Sequence, residues 1–224
     1  MTLILNIETA TSACSVALAK DGIVIAGEET NDGLVHAEKT TGFIEKLVKN
    51  TSISLSSLDA IAIGTGPGSY TGLRIGTATA KGLCYALDKP LIAIPTLKAM
   101  ALGAMQKLKR TDVLYCPMID ARRLEVYTAL FDSTGKEILP VHARILDTAS
   151  FAEYGTIAFF GDGMPKMKEL FANDTNKVWL DDIYASALNM CQTAEEMFQT
   201  KSFSNVAYYE PFYLKDFVAG KKTL

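Results

Sequence analysis

The chain has 224 residues, of which 49% are apolar and 21% charged, and its formal net charge is −3. These values are ordinary for a globular protein, and the weak negative charge argues against strong binding of a nucleic-acid backbone by this chain alone. No apolar stretch approaches the roughly 18 residues needed to cross a membrane, and no basic-apolar signal sequence opens the chain. The four cysteines lie far apart, which is typical of buried thiols in a reducing compartment. We therefore expect a cytoplasmic protein.

The first half of the chain opens with three predicted antiparallel strands. An apolar strand over 2–7 ends at Glu8, a second strand covers 13–20, and Asp21-Gly22 is a hairpin signal that leads to a third strand over 23–27. The further elements are a helix over 34–49 with a cap at 31–33, a buried strand over 61–63, a helix of about 18 residues from Tyr70, a strand over 91–94 and a helix over 96–108. This order predicts a mixed sheet with crossover helices.

The second half repeats the opening pattern. A strand over 113–119 ends at Asp120, which follows Glu8 by half the length of the chain, and strands over 125–131 and 137–144 come next. The remaining elements are a strand over 156–160, a helix led by Pro165, a strand over 177–180 and a helix over 183–198 capped by Asp181 or Asp182. We predict two similar domains of the βββαβα type, residues 1–108 and a smaller one with a basic tail, residues 109–224.

A glycine-rich turn over 64–68 links a buried strand to the long helix. Backbone N–H groups of such a turn, together with a helix N-terminus, form an anion site. The candidate anion or nucleotide contacts are Glu8, Gly66, Gly68, Ser69 and Arg74. Ser69 also suits the N-cap of the helix. Two interpretations of Arg74 stay open, an ion pair with Glu8 and an anion contact at the helix start.

The long helix contains Gly72, Gly76 and Gly82. Each interior glycine costs about 1 kcal/mol relative to alanine, so a compensating contact is expected. Small residues at positions i and i+4 let another helix approach closely. That helix is either the one over 34–49 in the same domain or part of a partner subunit, and the residues alone leave both interpretations open.

Catalysis by this chain finds little support in its residues. A strand–turn–strand hairpin with a terminal acid, present twice, is how actin-like ATPases and sugar kinases hold phosphates, but the turns over 9–12 and 121–123 contain no glycine. His36 and His142 lie in different halves, so no cluster of metal ligands is expected. Ser69 has no histidine base nearby in sequence. An autonomous ATPase or small-molecule kinase remains the main alternative to a non-catalytic role, and a metallopeptidase is a third.

Four segments of the chain resemble the TsaB (YeaZ) family, relatives of TsaD within a "glycoprotease"-like superfamily. The segments are residues 4–17, the Gly-Pro-Gly-Ser-Tyr-Thr-Gly-Leu-Arg-Ile-Gly stretch over 66–76, residues 119–127 and residues 210–214. The resemblance implies an α/β, actin-like ATPase (ASKHA, ribonuclease H-like) fold in two domains. It also implies a non-catalytic scaffold that activates a TsaD-type paralogue in the synthesis of N6-threonylcarbamoyladenosine (t6A) at position 37 of tRNA.

The same resemblance implies partners and cofactors. The partners are the TsaD-type paralogue, a TsaE-type ATPase, a second copy of the chain when it is alone, and tRNA only through the complex, with no membrane. The chain has no cofactor of its own, and ATP and iron or zinc are expected on the partner subunits. TsaD-like proteins carry an H-x-x-x-H metal motif whose two positions fall here on Thr96 and Met100. The predicted partner interface comprises His36, Thr40, Phe43, Leu47, Tyr70, Gly72, Leu73, Gly76 and Ala80.

Overall fold

A computed structural model describes residues 1–31, 36–171 and 177–215 of the chain. The strands are β1 Leu3–Glu8, β2 Cys14–Lys20, β3 Ile23–Thr30, β4 Ala60–Gly64, β5 Leu91–Ile94, β6 Leu114–Asp120, β7 Glu125–Phe131, β8 Glu137–Ile145, β9 Ile157–Phe160 and β10 Lys177–Leu180. The helices are α1 His36–Thr51, α2 Tyr70–Leu87, α3 Thr96–Leu108, α4 Pro165–Leu170 and α5 Cys191–Gln199, with 3₁₀ turns at Leu55–Ser57 and Ala187–Met190.

The first sheet has five strands in the order β3-β2-β1-β4-β5. Strands β1 and β2 are antiparallel, as are β2 and β3, whereas β4 and β5 run parallel to β1. The β2–β3 hairpin turns on Asp21 (φ 49°) and Gly22 (φ 76°), the pair of positive φ angles that a two-residue type I′ turn requires. The predicted hairpin is therefore confirmed.

The second sheet repeats this arrangement with the order β10-β9-β6-β7-β8. Strands β6, β7 and β8 form an antiparallel meander, and β9 and β10 run parallel to β6. Glu8 and Asp120 therefore stand at the same place in the two sheets, at the end of the central strand. The predicted similarity of the two halves is confirmed by this shared topology.

Two helices cover the first sheet, and two others pack against the sheet that does not immediately precede them in sequence. Helices α1 and α2 cover one face of the first sheet, where Ile44, Leu47, Ala80 and Cys84 are buried. Helix α3 follows the first sheet in sequence, yet most of its apolar side chains lie in the core of the second sheet. Helix α5 follows the second sheet and packs against the first. The predicted division after residue 108 stays a prediction, and it falls immediately behind a helix that both sheets share.

Two predicted helix starts need comment. The last helix does not begin at residue 183, because residues 183–186 are irregular and are followed by the 3₁₀ turn and then α5. The cap of that turn is Ser186, whose Oγ accepts a hydrogen bond from the Leu188 N–H at 3.3 Å, so the caps predicted at Asp181 and Asp182 are wrong. Residues 32–35, which include most of the cap predicted for the first helix, lie outside the described residues. No helix in the described ranges is long and apolar enough to cross a membrane.

Candidate functional site

The carboxyl ends of β1, β4 and β5 lie side by side and bring together residues that are far apart in sequence. Glu8 ends β1 and its side chain is fully buried. Its Oε1 accepts the Ala10 N–H at 2.8 Å, and its Oε2 accepts the Thr96 hydroxyl at 2.9 Å. Gly64 ends β4, where a Cβ atom would lie 2.0 Å from Oε2 of Glu8. The carboxylate therefore occupies the space that any other residue at position 64 would need.

Thr96 links this carboxylate to the glycine-rich turn. The residue follows β5 and begins α3, and its Oγ1 accepts the Gly66 N–H at 3.0 Å while donating to Glu8. The Thr96 N–H in turn donates to the Gly66 carbonyl at 3.2 Å. Every one of these groups is buried, so each hydrogen bond replaces one that water would otherwise provide. The hydroxyl is fully engaged in the structure of the turn.

Burial raises the pKa of the Glu8 carboxyl above its usual value. The hydrogen bonds from Ala10 and Thr96 act in the opposite direction because they stabilise the carboxylate, but desolvation is the larger effect. Asp120, the equivalent acid of the second sheet, has a different environment. Its Oδ1 accepts the Arg122 N–H and the Lys166 ammonium, each at 2.5 Å, in an exposed turn. Equivalent positions therefore hold a buried acid and a solvated ion pair.

The turn over 121–123, which follows β6, differs from the turn over 9–12, which follows β1, in its backbone conformation. Arg122 and Arg123 both adopt positive φ, 70° and 53°, a region that non-glycine residues rarely enter. The Asp120 N–H donates to Asp162 at 3.1 Å, and burial raises the pKa of the Asp162 carboxyl. Asp162 belongs to the Gly161–Gly163 turn, which approaches β6 so closely that a Cβ at Gly161 would lie 2.2 Å from the Met118 carbonyl. Packing against β6 therefore explains why glycine stands at position 161 of this turn.

The predicted anion cradle at residues 66–69 is already engaged within the chain. The Ser69 N–H donates to the Ala10 carbonyl at 2.6 Å, and a Cβ at Gly68 would lie 2.0 Å from that same oxygen. The Ser69 hydroxyl accepts the Gly72 N–H at 3.3 Å, which confirms Ser69 as the N-cap of α2. With Gly66 bonded to Thr96, three of the amide groups that would hold an anion donate to protein oxygens instead.

Arg74 does not pair with Glu8. Its side chain is exposed, and its guanidinium lies 4.5 Å from the centre of the Tyr70 ring. Glu8 is enclosed by Ala10, Thr96 and Gly64 and makes no ion pair with any residue that the structure describes. The ion-pair interpretation of Arg74 is wrong because the helix projects this residue to the surface, away from the sheet.

The C-terminal segment 204–215 crosses the turn, which the sequence reasoning did not predict. The Phe212 N–H donates to the Thr65 carbonyl at 2.8 Å, and the Tyr213 ring lies 5.0 Å from that of Tyr70. The ammonium of Lys81 on α2 donates to the carbonyls of residues 207 and 209, at 3.1 and 3.2 Å. Lys215 then pairs with Glu125 of the second half. The one available signal was the motif over 210–214, whose place in the fold no local pattern reveals.

The glycines of α2 serve a packing contact that neither sequence interpretation named. A Cβ at Gly72 would lie 2.1 Å from the Thr9 carbonyl oxygen, and one at Gly76 would lie 2.2 Å from Thr9 Oγ1. That hydroxyl donates to the Gly72 carbonyl at 2.8 Å. The close neighbour is therefore the turn between β1 and β2, and not α1 or a second subunit. Gly82 differs, since a Cβ there would meet nothing within 4 Å.

Most residues predicted for the partner interface are enclosed within the chain. The buried ones are Thr40, Leu47, Gly72, Leu73, Gly76 and Ala80. Phe43 and Tyr70 are half-buried, and the side chain of His36 lies outside the described residues. The six buried residues offer no surface to a partner in this structure, because the helical face that carries them packs on the sheet and on the β1–β2 turn. The predicted assignment of these six is corrected accordingly.

The two positions that the resemblance aligns with the metal motif of TsaD-like proteins carry residues that suit a divalent ion poorly. Thr96 is bonded to Glu8 and Gly66, and Met100 lies in the apolar core of the second sheet, its Cε 2.9 Å from where a Cβ at Gly161 would be. A hydroxyl and a thioether are poor replacements for the two imidazoles of a zinc or iron site. His142 is half-buried on β8, with its Nδ1 2.8 Å from the Pro140 carbonyl. Within the described ranges, no three His, Cys, Asp or Glu side chains gather.

Comparison with known proteins connects this geometry to a family. Residues 33–220 match the family model of TsaD, tRNA N6-adenosine threonylcarbamoyltransferase. The tRNA threonylcarbamoyladenosine biosynthesis protein TsaB of Escherichia coli is 35% identical, over 98% of this chain and 97% of that protein. The solved structure of YeaZ from Pseudomonas aeruginosa superposes with a TM-score of 0.80 at 25% identity, covering 96% of this chain and 100% of that one.

A more distant structure shares the fold alone. It is the activator of 2-hydroxyisocaproyl-CoA dehydratase from Clostridium difficile with bound ADPNP, with a TM-score of 0.53 and 12% identity over 91% of this chain and 99% of that one. Together with the repeated five-stranded sheets, these structures confirm the predicted actin-like fold. The relatives and the family model together show that the chain belongs to the TsaB (YeaZ) family of tRNA threonylcarbamoyladenosine biosynthesis proteins.

Proposed function

We propose that the chain is a non-catalytic subunit of the machinery that makes t6A at position 37 of tRNA, and that it binds and activates a TsaD-type catalytic paralogue. The observation that carries this proposal is the double role of Thr96. The resemblance aligns this residue with the first metal ligand of the paralogue, and in this chain its hydroxyl joins Glu8 to the Gly66 turn. A position committed to holding the fold together is unsuited to chemistry on a substrate.

If catalysis belongs to the partner, the cofactors are expected on the partner subunits. ATP and iron or zinc are held by the partner subunits, a TsaD-type enzyme and a TsaE-type ATPase, and tRNA is met only through the complex. In this chain the amide groups of Gly66 and Ser69 already bond to protein oxygens, so a phosphate would have to displace both. That competition disfavours the alternative of an autonomous ATPase or kinase.

The partner surface is assigned to the outward face of α1 and α2, which pack beside each other. Gly42 on α1 and Gly82 on α2 are exposed, and a Cβ at either would meet nothing within 4 Å. A glycine inside a helix costs about 1 kcal/mol without a compensating contact, and the chain itself provides none here. Ala78 continues this small-residue surface on α2, and Tyr85 beside it is 87% exposed. In isolation the same surface is expected to pair with a second copy.

The test is co-purification with a TsaD homologue followed by a tRNA modification assay. Gly82→Leu is the informative variant because the position is exposed, a Cβ there meets nothing within 4 Å, and leucine favours the helix. We expect it to fold normally while weakening the partner complex at least about tenfold, as a bulky side chain does in a close helix contact. Gly155→Leu is the matched control, since Gly155 is equally open but lies in the other half of the chain.

Two results would count against the proposal. If t6A forms at the same rate without this chain, the activator role is wrong. If the purified chain alone binds ATP with magnesium and turns it over, the kinase alternative replaces it. If t6A formation depends on the chain but Gly82→Leu binds normally, the role stands and only the assigned surface fails.

A further inference from the structure

A cavity of about 410 Å³ lies where three separate parts of the chain meet: the end of β3, the C-terminal half of α3 and the connection over 182–189. Glu8, Thr96 and the glycine-rich turn do not line it, and neither does the outward face of α1 and α2. We propose that this cavity binds a small zwitterion, a free amino acid with a neutral side chain. The inference is independent of the role proposed above.

Lys107 provides a site for the carboxylate of such a ligand. It stands in the last turn of α3 and lines the cavity with an exposed ammonium group. One of its N–H groups donates to the Asp181 carbonyl at 3.2 Å, which holds the side chain in place. An ammonium carries three donors, so two remain for a ligand. A hydrogen bond between a lysine and a carboxylate is of the stronger, charge-assisted kind.

Glu29 and Asp182 provide the opposite charge for the ligand's ammonium group. Oε2 of Glu29 accepts the Ser186 hydroxyl at 2.8 Å, which positions the carboxylate and leaves Oε1 for another donor. Asp182 lines the same cavity from the connection after β10. With Lys107, the charged lining residues sum to one negative charge. A ligand with an ammonium and a carboxylate satisfies both signs, whereas a simple anion would meet two carboxylates.

Asn189 supplies a polar group that the fold leaves without a partner. Its carboxamide lies flat against Gly103 of α3, where a Cβ would be 2.5 Å from Nδ2 and 2.6 Å from Oδ1. The side chain makes no hydrogen bond with any described residue. It lines the cavity with a free donor and a free acceptor. Gly103 thus makes room for an amide whose polar atoms bond to no described residue.

The apolar part of the lining suits the body of a neutral side chain. Ile183 and Leu188 contribute aliphatic surface between the charged residues. The lining residues also belong to different halves of the molecule: Glu29 stands on the first sheet, whereas Ile183 belongs to the core of the second. A ligand bonded to both Glu29 and Lys107 would tie these parts together. Because it binds the folded state alone, it should raise the melting temperature.

The experiment begins with thermal unfolding of the full chain in the presence of each neutral-side-chain L-amino acid at millimolar concentration. The amino acid with the largest shift is then measured by calorimetry beside two analogues, its decarboxylated amine and its deaminated acid. We expect each analogue to bind at least about tenfold more weakly, since each loses one charge-assisted hydrogen bond.

Variants locate the site. Lys107→Met and Glu29→Gln should each weaken binding at least about tenfold, and Asn189→Leu should weaken it without any change in charge. Lys98→Met is the matched control, because Lys98 is an exposed lysine of the same helix that does not line this cavity. Melting temperatures without ligand verify that all four variants fold. The proposal is overturned if no amino acid shifts the melting temperature, if an analogue binds as tightly as its parent, or if the cavity variants bind like the control.

Discussion

Replacing Gly72 by alanine tests whether α2 is held against the β1–β2 turn by backbone contact. The new Cβ would lie 2.1 Å from the Thr9 carbonyl oxygen, where real Cβ contacts are not shorter than 3.0 Å. The obstacle is backbone, so it cannot rotate away, and α2 or the turn has to move. Overpacking of this kind costs about 1–3 kcal/mol. The shift also weakens the hydrogen bond from Thr9 Oγ1 to the Gly72 carbonyl, worth about 1 kcal/mol.

Gly82→Ala is the control in the same helix, and we expect it to stabilise the protein where Gly72→Ala destabilises it. Its Cβ meets nothing within 4 Å, so only the helix-propensity gain of about 1 kcal/mol remains. The same gain offsets part of the loss at Gly72, which leaves a net destabilisation of about 2 kcal/mol there and a difference of about 3 kcal/mol between the variants. Urea unfolding followed by circular dichroism measures the unfolding free energy of both variants, and we expect its dependence on urea concentration to be unchanged. If Gly72→Ala is as stable as Gly82→Ala, the close contact with Thr9 is wrong.

Three further predictions concern buried polar groups. Thr96→Val leaves Oε2 of Glu8 without a donor and the Gly66 N–H without an acceptor, so we expect a loss of about 2–4 kcal/mol in urea unfolding, most of which Thr96→Ser should restore. Because burial raises the pKa of Glu8 in the folded state, the folded chain keeps the Glu8 proton to a higher pH than the unfolded chain does. The native chain should therefore lose stability relative to Glu8→Gln as pH rises above 4.5. A difference in unfolding free energy between the two chains that stays constant from pH 4 to 8 would contradict this. All four cysteines are buried, and burial raises the pKa of Cys84, Cys116 and Cys191 to about 12, so a thiol reagent at pH 8 should modify the native chain far more slowly than the urea-unfolded chain.

Much of the fold follows from local patterns in the sequence. Strand β5 and helix α3 have the predicted bounds, and the Asp21-Gly22 turn forms as expected, because apolar alternation, helical periodicity and turn residues are local signals. The last helix was predicted too long because residues 183–186 carry apolar side chains without being helical. Ile183 and Ala185 are buried in the core of the second sheet, and periodicity does not distinguish that environment from a helix face.

The candidate site was predicted less well because it depends on which strands are neighbours. Glu8 and Thr96 are 88 residues apart and meet only because β4 pairs with β1 and β5 pairs with β4. The glycines of α2 correctly indicated a close approach, but the approaching group is the Thr9 turn, which has no pattern of its own. A helix with small residues on two faces gives no local indication of which face is buried. Gly72 and Gly82 therefore appeared equivalent in sequence and have opposite environments in the structure.

Glu8 and Asp120 show how equivalent positions of the two sheets have acquired different environments. They occupy the same position in two sheets of the same strand order, so their different environments arise from the residues around them. At Glu8 the surroundings are Gly64, Thr96 and a turn bonded to Phe212, which bury the carboxyl and raise its pKa. Both of its carboxyl oxygens accept hydrogen bonds from the protein and the side chain is fully buried, whereas a protein-bound magnesium ion usually keeps several water ligands. The acidic position of the first sheet is therefore enclosed, and the proposed partner surface, the small-residue face of α1 and α2, lies on the exposed side of the same half.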